Sequence, residues 1–93
     1  MDAASILSRV KIDLGLLTDS KDDFIILLIG AAMEEIAAEG IQLQEGSLRD
    51  ENLVAMYAAY LFRKRAESGD AAGMPRMLRY ALNNRIFGSN PET

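Results

Sequence analysis

The chain has 93 residues, enough for one small domain, and its 10 basic and 14 acidic side chains give a net charge of −4. It contains no cysteine and no histidine. Disulfides and zinc–sulfur sites are therefore excluded, and the side chain most used in acid–base catalysis is missing, so we expect a protein that is not an enzyme and holds no metal and no cofactor.

Apolar residues recur at helical spacing along the chain, which predicts an all-α fold of four helices in a small, bundle-like single domain. The first helix should run from Asp2 to Asp13 and stop at Gly15. Its core-facing stripe comprises Ala3, Ile6, Leu7, Val10 and Leu14. The longest apolar runs have ten residues each, whereas a membrane span needs roughly 20, so we expect no membrane contact.

The second helix should begin after Asp19 or Ser20, either of which can cap it, and should reach Glu39 before stopping at Gly40. Its core face comprises Ile25, Ile29, Ala32, Met33 and Ile36. A second, mostly apolar strip comprises Phe24, Leu27, Ala31 and Glu34. One neighbouring helix cannot cover both faces, so the second strip favours contact with another molecule.

Residues 40–47 are predicted to form a loop whose apolar side chains point into the core. Ser47 and Asp50 resemble a capping box that opens the third helix, which should extend to about Glu67. This helix is apolar on two faces and rich in alanine. It lies either at the centre of the bundle or between subunits, and we favour the centre.

The basic cluster Arg63-Lys64-Arg65 ends the third helix and has two explanations. It can interact with the helix dipole and its free carbonyls, or it can contact nucleic-acid phosphates together with the arginines of the fourth helix. Six basic residues in the second half of an acidic chain are few for a DNA-binding surface, so we favour the first explanation.

The fourth helix should begin at Pro75, whose missing N–H costs nothing at the first helical position. Its core stripe comprises Leu78, Ala81, Leu82 and Ile86, and a second, mixed stripe comprises Arg76, Tyr80, Asn83 and Phe87. Arginine and aromatic residues are favoured at protein contacts. Arg85 falls within the apolar stripe, where it either extends past the core into water or meets a carboxylate of a neighbouring subunit. Residues 1–87 form the predicted domain and residues 88–93 a flexible tail.

Charge is distributed unevenly between the two halves of the chain. Residues 1–52 carry 4 basic and 11 acidic side chains, a net of −7, and residues 53–93 carry 6 basic and 3 acidic, a net of +3. This asymmetry is either without purpose or a sign that an acidic patch of one copy faces a basic patch of the next, as in a head-to-tail ring.

In this order, the segments resemble the head–tail connector, or adaptor, proteins of long-tailed bacteriophages and prophages. The matching segments are Ile6–Gly15 (ILSRVKIDLG), Asn52–Tyr60 (NLVAMYAAY), Arg63-Lys64-Arg65 and Met74–Arg85 (MPRMLRYALNNR). The resemblance implies a helical subunit that assembles as a ring of about twelve copies beneath the portal protein. Such a ring would extend the DNA channel, let phage DNA pass without sequence-specific binding, and dock the next head-completion or tail protein.

The resemblance supplies no list of site residues, so the interface is predicted from the surface patterns. One side comprises Phe24, Leu27, Ala31 and Glu34, and the other, on an adjoining subunit, comprises Arg76, Arg79, Tyr80, Asn83 and Arg85. The rival hypothesis is a small DNA-binding or packaging-regulatory module that uses the basic second half. The expected location is the head–tail junction of the virion, with assembly in the bacterial cytoplasm.

Overall fold

Four helices form the fold in the computed structural model, which describes residues 1–66 and 73–88. They are α1 (Ala3–Leu14), α2 (Asp22–Ala38), α3 (Leu48–Ala66) and α4 (Arg76–Gly88), and no strand occurs in the described part. The predicted all-α fold with four bundled helices is confirmed. Most of the segment joining α3 to α4 and the tail beyond Gly88 lie outside the described residues.

Helix α1 ends at Gly15, as predicted, and it begins one residue later than predicted because Asp2 caps it. The Asp2 carboxylate accepts a hydrogen bond from the Ala4 N–H at 3.1 Å. Gly15 has φ +72°, and its N–H donates to the Ile12 carbonyl at 3.2 Å. A left-handed residue at this position closes the helix, and glycine adopts that conformation at low cost.

The start of α2 differs from the prediction, because neither Asp19 nor Ser20 caps it. Lys21 occupies the cap position and makes no side-chain cap. The Asp19 carboxylate instead accepts a hydrogen bond from the Lys11 Nζ of α1 at 2.7 Å, and Lys11 also lies 3.0 Å from Asp22. These hydrogen bonds raise the pKa of Lys11 above its ordinary value. Asp19 therefore bonds Lys11 of α1 instead of capping α2.

Helix α3 lies at the centre of the bundle, as predicted, and packs against the three other helices. Both of its apolar faces are buried, which requires neighbours on opposite sides. Its buried apolar residues are Leu53, Val54, Ala55, Tyr57, Ala58 and Ala59. The small alanine side chains allow the neighbouring helices to approach closely.

Helix α4 packs on α3 through Leu78 and Leu82, which are both buried. Pro75 immediately precedes the helix, and its carbonyl accepts the Arg79 N–H at 3.1 Å. The proline therefore lies one position earlier than predicted, at the cap. Residues 40–47 form an irregular loop with Ile41 buried, in agreement with the prediction.

Candidate interaction surfaces

The side of α4 that faces away from α3 carries three large apolar side chains in water. Met77 is 74% exposed, Tyr80 61% and Phe87 73%. With the exposed Asn84 they are spaced three, four and three residues apart, so all four lie on one side of the helix. We call this set the α4 outer face. Its exposure is unusual for side chains of this size and marks a candidate contact with another protein.

Two arginines accompany the α4 outer face, as the sequence predicted, but they differ in their contacts. Arg76 is exposed and makes no ion pair with the described part of the chain. Arg79 donates a hydrogen bond to the Glu39 carboxylate at the end of α2, at 2.9 Å. It remains about half exposed and can still contact a second molecule. Asn83 is half-buried.

Arg85 does not lie where the interface hypothesis requires, because its side chain is buried within its own subunit. Its Nε and Nη2 donate to the two oxygens of Asp50 at 2.7 and 3.1 Å, and Nη2 also donates to the Gln42 carbonyl. The expected ion pair exists, but the carboxylate comes from the same chain. We therefore remove Arg85 from the predicted interface and assign it to the fold.

Asp50 joins three segments of the chain in this buried cluster. Besides the Arg85 pair, it accepts the Gln44 N–H at 2.8 Å, and its own N–H donates to the Ser47 Oγ at 3.1 Å. Burial alone would raise the pKa of Asp50, but the hydrogen bonds from Arg85 and Gln44 outweigh it and hold the pKa below its ordinary value. Of the two bonds of a capping box, only the one from the Asp50 N–H to the Ser47 Oγ is therefore present, because the Asp50 carboxylate bonds the loop and α4 instead.

The second strip predicted on α2 is only partly available to a partner. Phe24 is half-buried, with its ring centroid 5.8 Å from that of Phe62 and with the Arg65 guanidinium 5.5 Å away. Ala31 is also half-buried, whereas Leu27 is 72% exposed and Glu34 is exposed. The half of the strip nearest α3 therefore contacts its own subunit.

The exposed apolar strip of α2 instead comprises Ile26, Gly30, Met33 and Ala37, and we call it the α2 strip. Ile26, Gly30 and Ala37 are exposed and Met33 is half-buried. It leads into an open groove of about 520 Å³ lined by Met33, Ala37, Gly40, Ile41, Gln42 and Leu43. The sequence pattern missed this strip, although the spacing of four, three and four residues could have indicated it.

The three basic residues that end α3 are exposed, but each has a partner in its own chain. The Arg63 Nη2 donates to the Asp13 carbonyl at 3.0 Å and to its carboxylate at 3.2 Å. The Lys64 Nζ lies over the Tyr60 ring, 5.8 Å from its centroid, and the Arg65 guanidinium lies over the Phe24 ring. Arg63 thus bonds the last turn of α1, not the carbonyls of its own helix.

The described residues contain no group of three or more acidic side chains placed to hold a metal ion. No described helix combines the length and the hydropathy needed to cross a membrane. Comparison of the chain with protein-family models, curated proteins and solved structures found no match.

Proposed function

We propose that this protein is a structural head–tail connector of a tailed phage or prophage. It assembles as a ring beneath the portal protein, extends the DNA channel, and docks the next head-completion or tail protein. The ring size of about twelve copies follows from the resemblance alone. In this proposal the protein acts by binding other proteins, is not an enzyme, and resides at the head–tail junction after assembly in the bacterial cytoplasm.

The α4 outer face is the observation that carries the proposal. Three large apolar side chains spaced along one side of a helix are costly to leave in water, because burying each is worth about 1.5–3 kcal/mol. Arg76 and the half-exposed Arg79 border this face. An apolar centre with arginine at its edge is the composition of a protein–protein contact.

The charge of the chain supports passage of DNA without binding. The acidic side chains Glu34 and Glu35 of α2 are exposed. A channel wall rich in carboxylates repels phosphates and lets the duplex move. The basic cluster at the end of α3 has partners within its own chain, which reduces its capacity for phosphate contacts.

The proposal is tested with heads from the phage or prophage that encodes the chain. Disrupting its reading frame should yield DNA-filled heads without tails, and adding the purified protein should restore tail joining. Phe87→Glu should fail to restore it. The control is Leu17→Glu, which changes a fully exposed apolar residue in the connection between α1 and α2 and should act like the wild type.

Two results would contradict the connector proposal. One is normal tailed particles from the disrupted phage. The other is that Phe87→Glu restores tail joining as well as the wild type does. Retarded migration of duplex DNA that weakens steeply with salt would instead favour the DNA-binding rival.

A further inference from the structure

The α2 strip has a feature that the fold of one subunit does not require. Gly30 lies in the middle of α2, is exposed, and a Cβ placed on it would meet no atom within 4 Å. Glycine in a helix interior destabilises it by about 1 kcal/mol relative to alanine. No contact within the described chain offsets this cost. A position without a side chain, between exposed apolar neighbours, allows the backbone of another helix to approach closely.

The α2 strip and the α4 outer face match in length. At 1.5 Å per residue, Ile26 to Ala37 spans about 17 Å and Met77 to Phe87 about 15 Å. Each is a narrow stripe along one helix. Two such stripes can pack against each other over about three turns, with the flat centre of one, at Gly30, receiving the side chains of the other.

The charges beside the two surfaces are complementary. Asp23 lies in the first turn of α2, three residues before Ile26, and Arg76 begins α4 next to Met77. Neither makes an ion pair with any residue in the described ranges 1–66 and 73–88. If the two helices run parallel, these side chains meet at one end, and Phe87 reaches the groove at the other.

We infer that the α4 outer face of one copy packs in parallel along the α2 strip of the next copy, with Phe87 in the groove and Arg76 against Asp23. This inference rests on the proposed ring and identifies its subunit contact. The two surfaces differ, so the contact is head-to-tail and each copy uses both surfaces. Such contacts give a closed ring when the rotations between successive copies add up to a full turn. The partner is therefore a second copy of this chain.

Cysteine cross-linking tests the contact cleanly, because the chain has no cysteine of its own. With Arg76 opposite Asp23, Ile26 and Tyr80 lie at nearly the same height along the two helices, so a variant with Ile26→Cys and Tyr80→Cys should give a ladder of disulfide-linked oligomers on oxidation. The matched control combines Leu27→Cys with Tyr80→Cys. Leu27 is exposed like Ile26 but points about 100° further round the helix, so this pair should stay unlinked.

Charge reversal provides a second measurement that needs no cross-link. Asp23→Arg and Arg76→Asp should each reduce assembly, and the two changes together in one chain should restore it, since every contact in the ring then regains opposite charges. Loss of assembly in the double variant would contradict the parallel arrangement.

The outcomes separate this inference from the connector proposal. Oxidation is carried out in concentrated solution and on tail-less heads. If the wild type restores the heads but the ladder is absent under both conditions, the inferred contact is wrong and the connector proposal stands. If the wild type fails on the heads, the connector proposal is wrong, and the ladder in concentrated solution alone decides whether this contact forms.

Discussion

Replacing Asp50 with alanine should remove the interaction that joins α4 to the loop and to the start of α3. Asp50 is 1% exposed, accepts two hydrogen bonds from Arg85 and one from the Gln44 N–H, and holds a charge next to a buried guanidinium. In the Asp50→Ala variant, Arg85 keeps its charge in a largely buried site without the Asp50 carboxylate.

The expected loss in the free energy of unfolding is about 3–5 kcal/mol, the range for breaking a buried ion pair by removing one partner. A domain of this length has a total stability of about 5–14 kcal/mol, so this loss removes a substantial share of it. The double variant Asp50→Ala with Arg85→Met should lose less than Asp50→Ala alone. It removes the buried charge as well, and methionine replaces the arginine stem.

Urea denaturation followed by circular dichroism measures these losses for the wild type and the variants. A loss below about 1 kcal/mol in Asp50→Ala would refute the reasoning, because it is the value of a solvated surface pair. A double variant less stable than Asp50→Ala would do the same. Either result would mean that water reaches Arg85 and that the pair is not what holds α4.

Three further predictions concern the same domain, and each is checked by urea denaturation. Gly30→Ala should stabilise the monomer by roughly 0.5–1 kcal/mol, whereas Gly15→Ala should destabilise it by roughly 1–2 kcal/mol because φ is +72° there; a less stable Gly30→Ala would contradict the first expectation and a more stable Gly15→Ala the second. Arg79→Glu should lower the free energy of unfolding by less than about 1 kcal/mol, since the pair of Arg79 with Glu39 is partly exposed. The same variant should assemble more weakly when assembly is measured by sedimentation, and normal assembly would contradict the place of Arg79 at the interface. The pKa of Asp50 lies below the ordinary 3.8, so the stability that its charge contributes is present above pH 3.8 and is lost as the pH falls through the pKa of the folded protein. In Asp50→Asn the free energy of unfolding should therefore fall less steeply with decreasing pH in this acid range than in the wild type. An equal fall in both proteins would contradict this.

The helices could be read from the sequence because their signals are local. Apolar spacing and the stop at Gly15 act within a few residues, and the first helix ends where predicted. The cap of α2 could not be read in this way. Lys11 of the preceding helix competes for the Asp19 carboxylate, and that competition exists only once the two helices have packed.

The surfaces were harder to predict, because charge counts and stripes do not say which groups the fold brings together. The sequence left Arg85 either extending past the core into water or pairing with a carboxylate of a neighbouring subunit, yet Asp50 of the same chain lies beside it. Likewise, Phe24 belongs to an apolar strip in sequence but contacts Phe62 in space. Which apolar residues outside the core stripe stay exposed depends on how the helices pack.

The Asp50–Arg85 pair also bears on the exposure of the α4 outer face. Arg85 lies on α4 beside Leu82, and its two bonds to Asp50 restrict rotation of the helix about its own axis. With the rotation fixed, Tyr80 and Phe87 must point away from α3. The buried ion pair therefore sets which side of α4 another molecule can reach.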